Sequence, residues 1–327
     1  MSKKHRITSL LAMLSLFIML SACSEANEQQ ASEEEPTSDA DQETSANDYV
    51  LTDALGNEVD IPANPERIIA SYLEDHLVAL GVTPIAQWSI HDGEGVQNYL
   101  QDYLTEVEPI PFDLPFEAVT SFAPDLLIMS SADLVSEGKY EQYARIAPTY
   151  VVAEATNDNW RETLTQLGDV LNREEEATAT LEAYEEKAQK AAEQLSDQIG
   201  TDSAAALWLT NSQFFIVSKH VSSGAVLYDD LRITIPATVE KVSESATGNW
   251  SAISLEELVE LDADHLFLIN SDSSDGSEML DDPLWQNIPA VQQNQVYEFS
   301  PDTSWLYSGP IANEQIIDDV LSSLTVE

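Results

Sequence analysis

Two stretches of this chain echo one another at a separation of 139 residues: FEAVTSFAPDLLIM from Phe116 and LEELVELDADHLFL from Leu255. The alignment places Glu117 on Glu256, Phe122 on Leu261, Asp125 on Asp264 and Leu127 on Leu266. Each copy has a leading acid, a short helical stretch, a turn centred on Pro124 or Ala263, and an apolar run of strand length. A helix-turn-strand unit used twice at that distance predicts two similar α/β lobes. Further strand-like runs flank the first copy, at Arg67-Ile68-Ile69-Ala70 and Pro84-Ile85-Ala86, with a helical segment from Leu73 to Leu80 between them. The second copy has its own set, Ala204 to Leu209, Phe214 to Val217, His265 to Ile269 and Val296 to Phe299. Between the sets, Ala177, Leu181, Tyr184, Ala188, Ala191, Leu195 and Ile199 recur at steps of three and four, with Glu and Gln on the other faces. That pattern predicts a helix over 174–199, about 39 Å long at 1.5 Å per residue, reaching from one lobe to the other. A surface helix confined to one lobe is the alternative.

The chain opens with Lys3, Lys4 and Arg6, an apolar run from Leu10 to Leu20, and Leu20-Ser21-Ala22-Cys23. Basic start, short apolar stretch and small residues form an export signal, too short for a spanning helix. The tetrapeptide resembles the bacterial lipobox, which implies that Cys23, the one cysteine, is acylated and becomes the new N-terminus. Each buried methylene of such acyl chains contributes about 0.8 kcal/mol, so the expectation is a lipid-anchored protein on the outer face of the cell membrane. A plain secretory signal is the alternative. Ser24 to Asn47 holds eight carboxylates, no basic residue and no aliphatic side chain larger than alanine, too little apolar surface to offset ordering entropy. As a flexible tether it reaches roughly 25–30 Å. The expected organisation is a signal peptide at 1–22, acylated cysteine and acidic linker at 23–48, a first lobe at 49–173, the connecting helix at 174–199 and a second lobe at 200–327.

With 13 Lys and Arg against 59 Asp and Glu, the formal net charge is −46; loss of the signal's three basic residues makes it −49. So anionic a surface disfavours nucleic acid and anionic lipid, and its self-repulsion calls for counterions, as a saline or alkaline habitat would demand. With Cys23 in the anchor no disulfide is available, and stability outside the cell rests on packing.

Several further segments resemble one family. DPLWQNIPAVQQNQVYEF from Asp282 and SWLYSGPIANEQIIDDV from Ser304 are similar to the end of Gram-positive siderophore-binding lipoproteins of ATP-driven iron importers. ISLEELVELDAD from Ile253, GAVLYDDL from Gly224, LPFEAVTSFAPDLLI from Leu114, PERIIASYLEDHLVALGVTPIAQW from Pro65 and YEQYARIAPTYVV from Tyr140 agree with the same group, so the likeness covers everything after the linker. It implies two lobes joined by one long helix around a shallow cleft, and a receptor that hands a ferric siderophore to an ABC permease. It also implies that Glu117 and Glu256, one on each lobe, pair with arginines of the permease. The alternative for both is an acid made favourable by a helix N-terminus.

Ligands of α/β lobes sit beyond strand ends, and the pocket of a two-lobe protein lies at the lobe interface. The candidate ligand-binding residues are Tyr72, Trp88, Ser130, Lys219, His220, Ser222, Trp250, Trp305 and Tyr307, with Ser89, His91, Thr210, Asn211, Asn270 and Ser271 in neighbouring loops. A siderophore wraps iron in a full set of oxygen ligands, so aromatic faces and hydroxyls suffice to grip its outside. No metal ligand of the protein's own and no cofactor is expected. Trianionic tris-catecholates call for a basic pocket, and only ten Lys and Arg follow the signal; hydroxamate or citrate-hydroxamate chelates fit better. Lys219 and His220 stand where related proteins often carry a base, and Lys219 could pair with a ligand carboxylate. Arg67 is expected to open a strand, and Arg145, Arg161 and Arg232 to lie at the surface or in loops.

Rival readings are weaker. A bare-metal receptor would draw on His76, His91, His220 and His265, and the cluster His91-Asp92-Glu94 has ligand types, but so acidic a chain makes such clusters by chance. Haem or cobalamin remains open, because fold does not fix ligand. An exported hydrolase lacks a GxSxG elbow, an HExxH pair or a P-loop, so no enzyme is expected.

Overall fold

Strands form where the apolar runs place them. The computed structural model describes residues 48–90, 93, 95–153, 159–272 and 278–325; Cys23, the signal, the acidic linker and His91-Asp92-Glu94 lie outside the described residues. The first described element is an antiparallel pair, β1 (Tyr49–Thr52) and β2 (Glu58–Ile61). It is tied to the rest of its lobe where the Ala54 N–H donates to the Val151 carbonyl. Then come β3 (Ile68–Ile69), β4 (Gln87–Ser89), β5 (Pro109–Pro111), β6 (Leu126–Met129) and β7 (Thr149–Val151). Strands β3, β6 and β7 make a parallel sheet with β6 in the middle, and β4 pairs with β5. Both faces of the three-stranded sheet are covered: Ile68, Leu126, Ile128 and Tyr150 join one core cluster, Ile69, Leu127, Met129 and Val151 another. Burial on two sides is why the run from Leu126 to Met129 is apolar throughout and does not alternate.

The second lobe is one five-stranded sheet. Its strands are β8 (Ala204–Thr210), β9 (Gln213–Val217), β10 (Trp250–Ile253), β11 (His265–Asn270) and β12 (Val296–Phe299), in the order β10-β9-β8-β11-β12. Here β8, β11 and β12 are parallel, while β9 runs antiparallel to β8 and β10 antiparallel to β9.

The sequence echo has a structural cause. Its strand halves, β6 and β11, hold the central place in matching parallel trios, each preceded by a short helix, Phe116–Phe122 or Leu255–Leu258. The Asp125 carboxylate accepts the backbone N–H groups of Glu66 and Arg67 at 2.9 and 3.0 Å. Asp264 accepts the N–H and the hydroxyl of Ser203, both at 2.8 Å. Each aspartate thus fixes the residue that leads into the neighbouring strand, β3 or β8. Arg67 does stand at the entrance to β3. Its guanidinium also donates to the carbonyls of Phe122 and Ala123, supplying the positive charge that the end of helix Phe116–Phe122 lacks.

Between β7 and β8 runs the 26-residue helix Glu174–Ile199, its bounds those that the periodicity predicts. Three glutamates occupy its first turn, where the helix dipole favours them. It buries Ala177, Tyr184, Ala188, Ala191 and Leu195 against the helix Trp160–Leu171 on one side and the final helix Pro310–Leu324 on the other. Arg161 departs from its expected surface place. Its guanidinium pairs with Glu185 at 2.7 Å and with Asp230 at 2.8 Å, and lies 4.5 and 5.1 Å from the Trp160 and Tyr184 ring centres. The Tyr184 hydroxyl completes the clamp by donating to Asp230 at 2.7 Å. A single hydrophobic cluster runs from Ile68 and Leu126 through Tyr184 to Phe267 and Ile316, so the two lobes share a core. Residues 46–327 accordingly form one compact unit.

Candidate functional site

Two backbone positions with left-handed dihedrals face each other across the lobes. After β3 the chain turns at Tyr72, φ 66°, which throws the phenol ring outward and leaves the residue 43% exposed. On the other wall Ser222, φ 50°, opens the helical turn Ser222–Ala225. Gly224 in that turn lies so close to the Ser218 carbonyl that a Cβ would come within 2.0 Å of the oxygen, so only glycine fits. The turn continues as a π-helical stretch, Val226–Asp230, which delivers Asp229 to His220 and Asp230 to Arg161. Left-handed non-glycine residues are costly and concentrate where a site needs them; here both border the same cavity.

That cavity, about 160 Å³, is lined by Tyr72, Leu73, His76, Trp160 and Thr163 from the first half of the chain. Ser222, Asn249, Leu306, Tyr307 and Ser308 line it from the second. Aromatic rings form its rim. Tyr72 meets Trp88 edge-on at 5.3 Å between centroids and Tyr307 at 6.4 Å, and Tyr307 rests on Tyr99 at 4.9 Å. Larger cavities exist, such as one of about 470 Å³ at the end of the long helix, but that one is lined only by residues 192–233. What distinguishes the 160 Å³ cavity is its lining from both lobes.

Beneath the rim lies a buried ionisable run, Glu74-Asp75-His76, in the helix Glu74–Ala79. Burial pushes the Glu74 carboxyl up to about 7, opposed by the Trp88 N–H that donates to it at 2.7 Å. Burial likewise raises Asp75 to about 6, against the N–H groups of Ile311 and Ala312 and the Tyr99 hydroxyl. The His76 imidazole is held down at about 4, chiefly by burial. The Trp160 backbone opposes that shift, yet neither ring nitrogen reaches hydrogen-bond geometry with a described residue. At neutral pH the His76 imidazole on the cavity wall is therefore uncharged.

Of the nine residues expected to hold ligand, Tyr72, Ser222 and Tyr307 line the cavity and Trp88 stands on its rim. Lys219 and His220 line an adjoining cavity of about 320 Å³ that shares Asn249 with the first. Both already have an acid beside them: Lys219 lies 3.6 Å from Glu240, and His220 3.0 Å from Asp229. Ser130 is buried after β6 and does not line the cavity. Trp305 is a correction. It is fully buried, stacked 4.9 Å from Phe267 and 5.1 Å from Phe299, with its indole N–H donating to Asp319, so it packs the core. Trp250 turns towards Trp208 on the sheet, 6.2 Å away, while its neighbour Asn249 reaches the cavity. Thr210, Asn211 and Ser271 sit at the β8–β9 hairpin end, where Asp272 accepts the Asn211 and Ser212 N–H groups. His76, Trp160, Thr163 and Asn249 are the lining residues that strand-end reasoning does not find. His265 lies in β11, 3.6 Å from Asp202 and 3.5 Å from the Tyr297 hydroxyl.

The exposed acids of the echo fall at equivalent places, Glu117 and Glu256 each in the first turn of its helix. In the second copy the helix-capping duty belongs to Glu257, which forms a capping box with Ser254, and Glu256 is left facing outward.

Comparison with known proteins agrees with this architecture. Among relatives, the iron(3+)-hydroxamate-binding protein YxeB of Bacillus subtilis is 23% identical over 336 residues, covering 100% of this chain and 98% of its own. The same organism's YfiY, described as a probable siderophore-binding lipoprotein, is 25% identical over 332 residues and covers 97% of each chain. Among solved structures, the FhuD fold-family component of a Fep/Fec-like ferrichrome ABC transporter from Bacillus subtilis superposes with a TM-score of 0.72 at 21% identity, over 85% of this chain and 100% of that one. Staphylococcus aureus SirA, solved with staphyloferrin B, gives 0.70 at 23% identity over 85% and 99%. These superpositions establish the two-lobe fold. The family model for periplasmic binding proteins matches residues 74–303, well over half the chain, and the protein belongs to that family.

Proposed function

We propose that this protein is an extracytoplasmic receptor that binds a ferric siderophore between its lobes and delivers it to an ABC permease. The observation that carries the reading is the cavity lined from both halves by phenol, indole, hydroxyl and amide groups. Such groups can grip the outside of a chelate whose iron already has its oxygen ligands. The names of YxeB, YfiY and SirA, with hydroxamate, siderophore and staphyloferrin B in them, lie in the same direction. At about 160 Å³ the cavity is smaller than the roughly 300–1,000 Å³ of ordinary ligand pockets. The chelate therefore rests at its mouth against Tyr72, Trp88 and Tyr307, or enters as the rim rings part.

Charge favours a neutral or weakly charged chelate, a hydroxamate or citrate-hydroxamate. Among the described residues no Lys or Arg lines the cavity, its one histidine, His76, is held neutral by burial, and the adjoining Lys219 and His220 face carboxylates of their own. The outward Glu117 and Glu256 are the docking acids, one per lobe, for cationic groups of a permease with two similar halves. Acylation of Cys23 and the acidic linker after it would hold the lobes near that permease, with the lobes at 49–173 and 200–327 joined by the helix between them. Tryptophan fluorescence titrated with ferric hydroxamates, citrate, mixed chelates, tris-catecholates, haemin and cobalamin tests the proposal. Quenching by hydroxamate or citrate-hydroxamate chelates at low concentration is the expected result. A response to tris-catecholates alone would refute the charge argument, and a response to haemin or cobalamin alone would refute the ligand class.

A further inference from the structure

Asp75 belongs to the helix Glu74–Ala79, yet its hydrogen-bond partners lie far along the chain. One carboxylate oxygen accepts the Ile311 N–H and the other the Ala312 N–H, each at 2.9 Å, at the start of the final helix Pro310–Leu324. The second oxygen also accepts the Tyr99 hydroxyl at 3.0 Å. Gly309 presses against the same carboxylate so closely that a Cβ there would stand 2.5 Å from the Asp75 Cγ. The acid is 3% exposed, so these bonds are made away from solvent.

Two of those contacts lead to one ring. Tyr307 precedes Gly309 by two residues, and Tyr99, held by its hydroxyl, carries the Tyr307 ring on its own at 4.9 Å. Tyr307 in turn faces Tyr72 at 6.4 Å across the cavity. The Asp75 carboxylate fixes the backbone on which Tyr307 is mounted and the ring on which it rests.

We propose that Asp75 is a positioning residue of the ligand cleft, setting the Tyr307 ring against Tyr72 through residues 309–312 and through Tyr99. The inference rests on the receptor reading for its binding consequence but not for its geometry. Asp75→Asn keeps one acceptor oxygen and turns an NH2 donor towards an N–H that needs an acceptor, so one of the two bonds to the final helix is lost. Tyr99→Phe keeps the ring and removes only the hydroxyl, which makes it the milder variant if Asp75→Asn does not fold.

The test is a double-mutant cycle in affinity for whichever ferric chelate the wild type binds, combining Asp75→Asn, or Tyr99→Phe, with Tyr307→Ala. If Asp75 acts through Tyr307, Asp75→Asn and Tyr307→Ala each weaken binding by about tenfold and the double variant is no weaker than the worse single. Independent losses that multiply to about a hundredfold overturn the proposal, because a merely structural role adds in that way. A ligand-free readout separates this outcome from failure of the receptor reading. With fluorotyrosine incorporated, the Tyr307 resonance, assigned by its loss in Tyr307→Phe, should shift in Tyr99→Phe. An unmoved Tyr307 resonance overturns the positioning role whether or not any chelate binds.

Discussion

The two helix-turn-strand copies use the same aspartate in different surroundings. Asp125 accepts two backbone N–H groups, those of the exposed Glu66 and Arg67, beside a helix that begins after Pro115 without a side-chain cap. Asp264 accepts both the N–H and the hydroxyl of the buried Ser203, whose hydroxyl oxygen also lies 3.1 Å from the Asp262 carbonyl. Asp262, at the place of Ala123 in the first copy, accepts the Ala237 and Thr238 N–H groups and so caps a further helix, Ala237–Ser243. The first copy has no such link and borrows the Arg67 guanidinium instead. One ancestral-looking unit thus serves a small parallel sheet in one lobe and a wider mixed sheet in the other. What the copies retain in common is the lock on the neighbouring strand and the outward acid; what differs is how much of the surrounding lobe depends on them.

That contrast yields tests of decreasing size. The aromatic residues should separate most. Trp305→Ala in the second lobe's core should cost about 3–5 kcal/mol in urea unfolding. Trp88→Ala on the first lobe's rim should cost well under half of that while removing chelate-induced quenching; equal costs would deny the core-against-rim assignment. Next comes the buried acid of the first lobe. Glu74 titrates near 7 in the fold against about 4.5 unfolded, so the stability tied to its protonation is present below the unfolded value and is lost as pH rises through 7. Glu74→Gln keeps an oxygen for the Trp88 N–H and should therefore exceed the wild type above pH 8 by about 3 kcal/mol, at ~1.36 kcal/mol per pKa unit. A difference that does not vary with pH would show that burial of the charge is not its source.

The paired aspartates follow. Asp264→Ala should cost about 2 kcal/mol and Asp125→Ala about 1, since more of the former's partners are shielded from water; the reverse order in thermal melts would break the comparison. Smallest in stability, within about 0.5 kcal/mol, is the double reversal of Glu117 and Glu256 to Lys, because both are exposed. Its effect should appear only in uptake, lost while chelate affinity is kept; weakened affinity would remove these acids from a docking role.

Sequence pattern reveals the fold more fully than the site, for identifiable reasons. The connecting helix shows because its apolar positions keep one period across 26 residues, and the parallel trios show because strands such as Leu126–Met129 are buried on both faces. The cleft is different. Local geometry decides which of two nearby residues faces the ligand: Asn249 reaches the cavity where Trp250, at the start of β10, does not, and Trp305 turns into the core within the 3-10 turn Ser304–Leu306 while Tyr307, just after that turn, lines the cavity. His76 and Trp160 carry no local mark, because each reaches the wall through helix packing that joins distant segments. Arg161 is hidden in the same way: its partners Glu185 and Asp230 lie on two other elements. Asp75 sits in a stretch that reads as an ordinary amphipathic helix, and only the final helix reveals what its carboxylate holds.

If this protein grips a ferric complex from outside, as proposed, every iron ligand stays with the siderophore. The visible charge-transfer band of a ferric hydroxamate, recorded free and then saturated with protein, tests it most directly. The account predicts a band of unchanged position alongside quenched tryptophan emission. A displaced band, with a new iron-imidazole or iron-carboxylate signature that vanishes in a His76 or carboxylate variant, would contradict it.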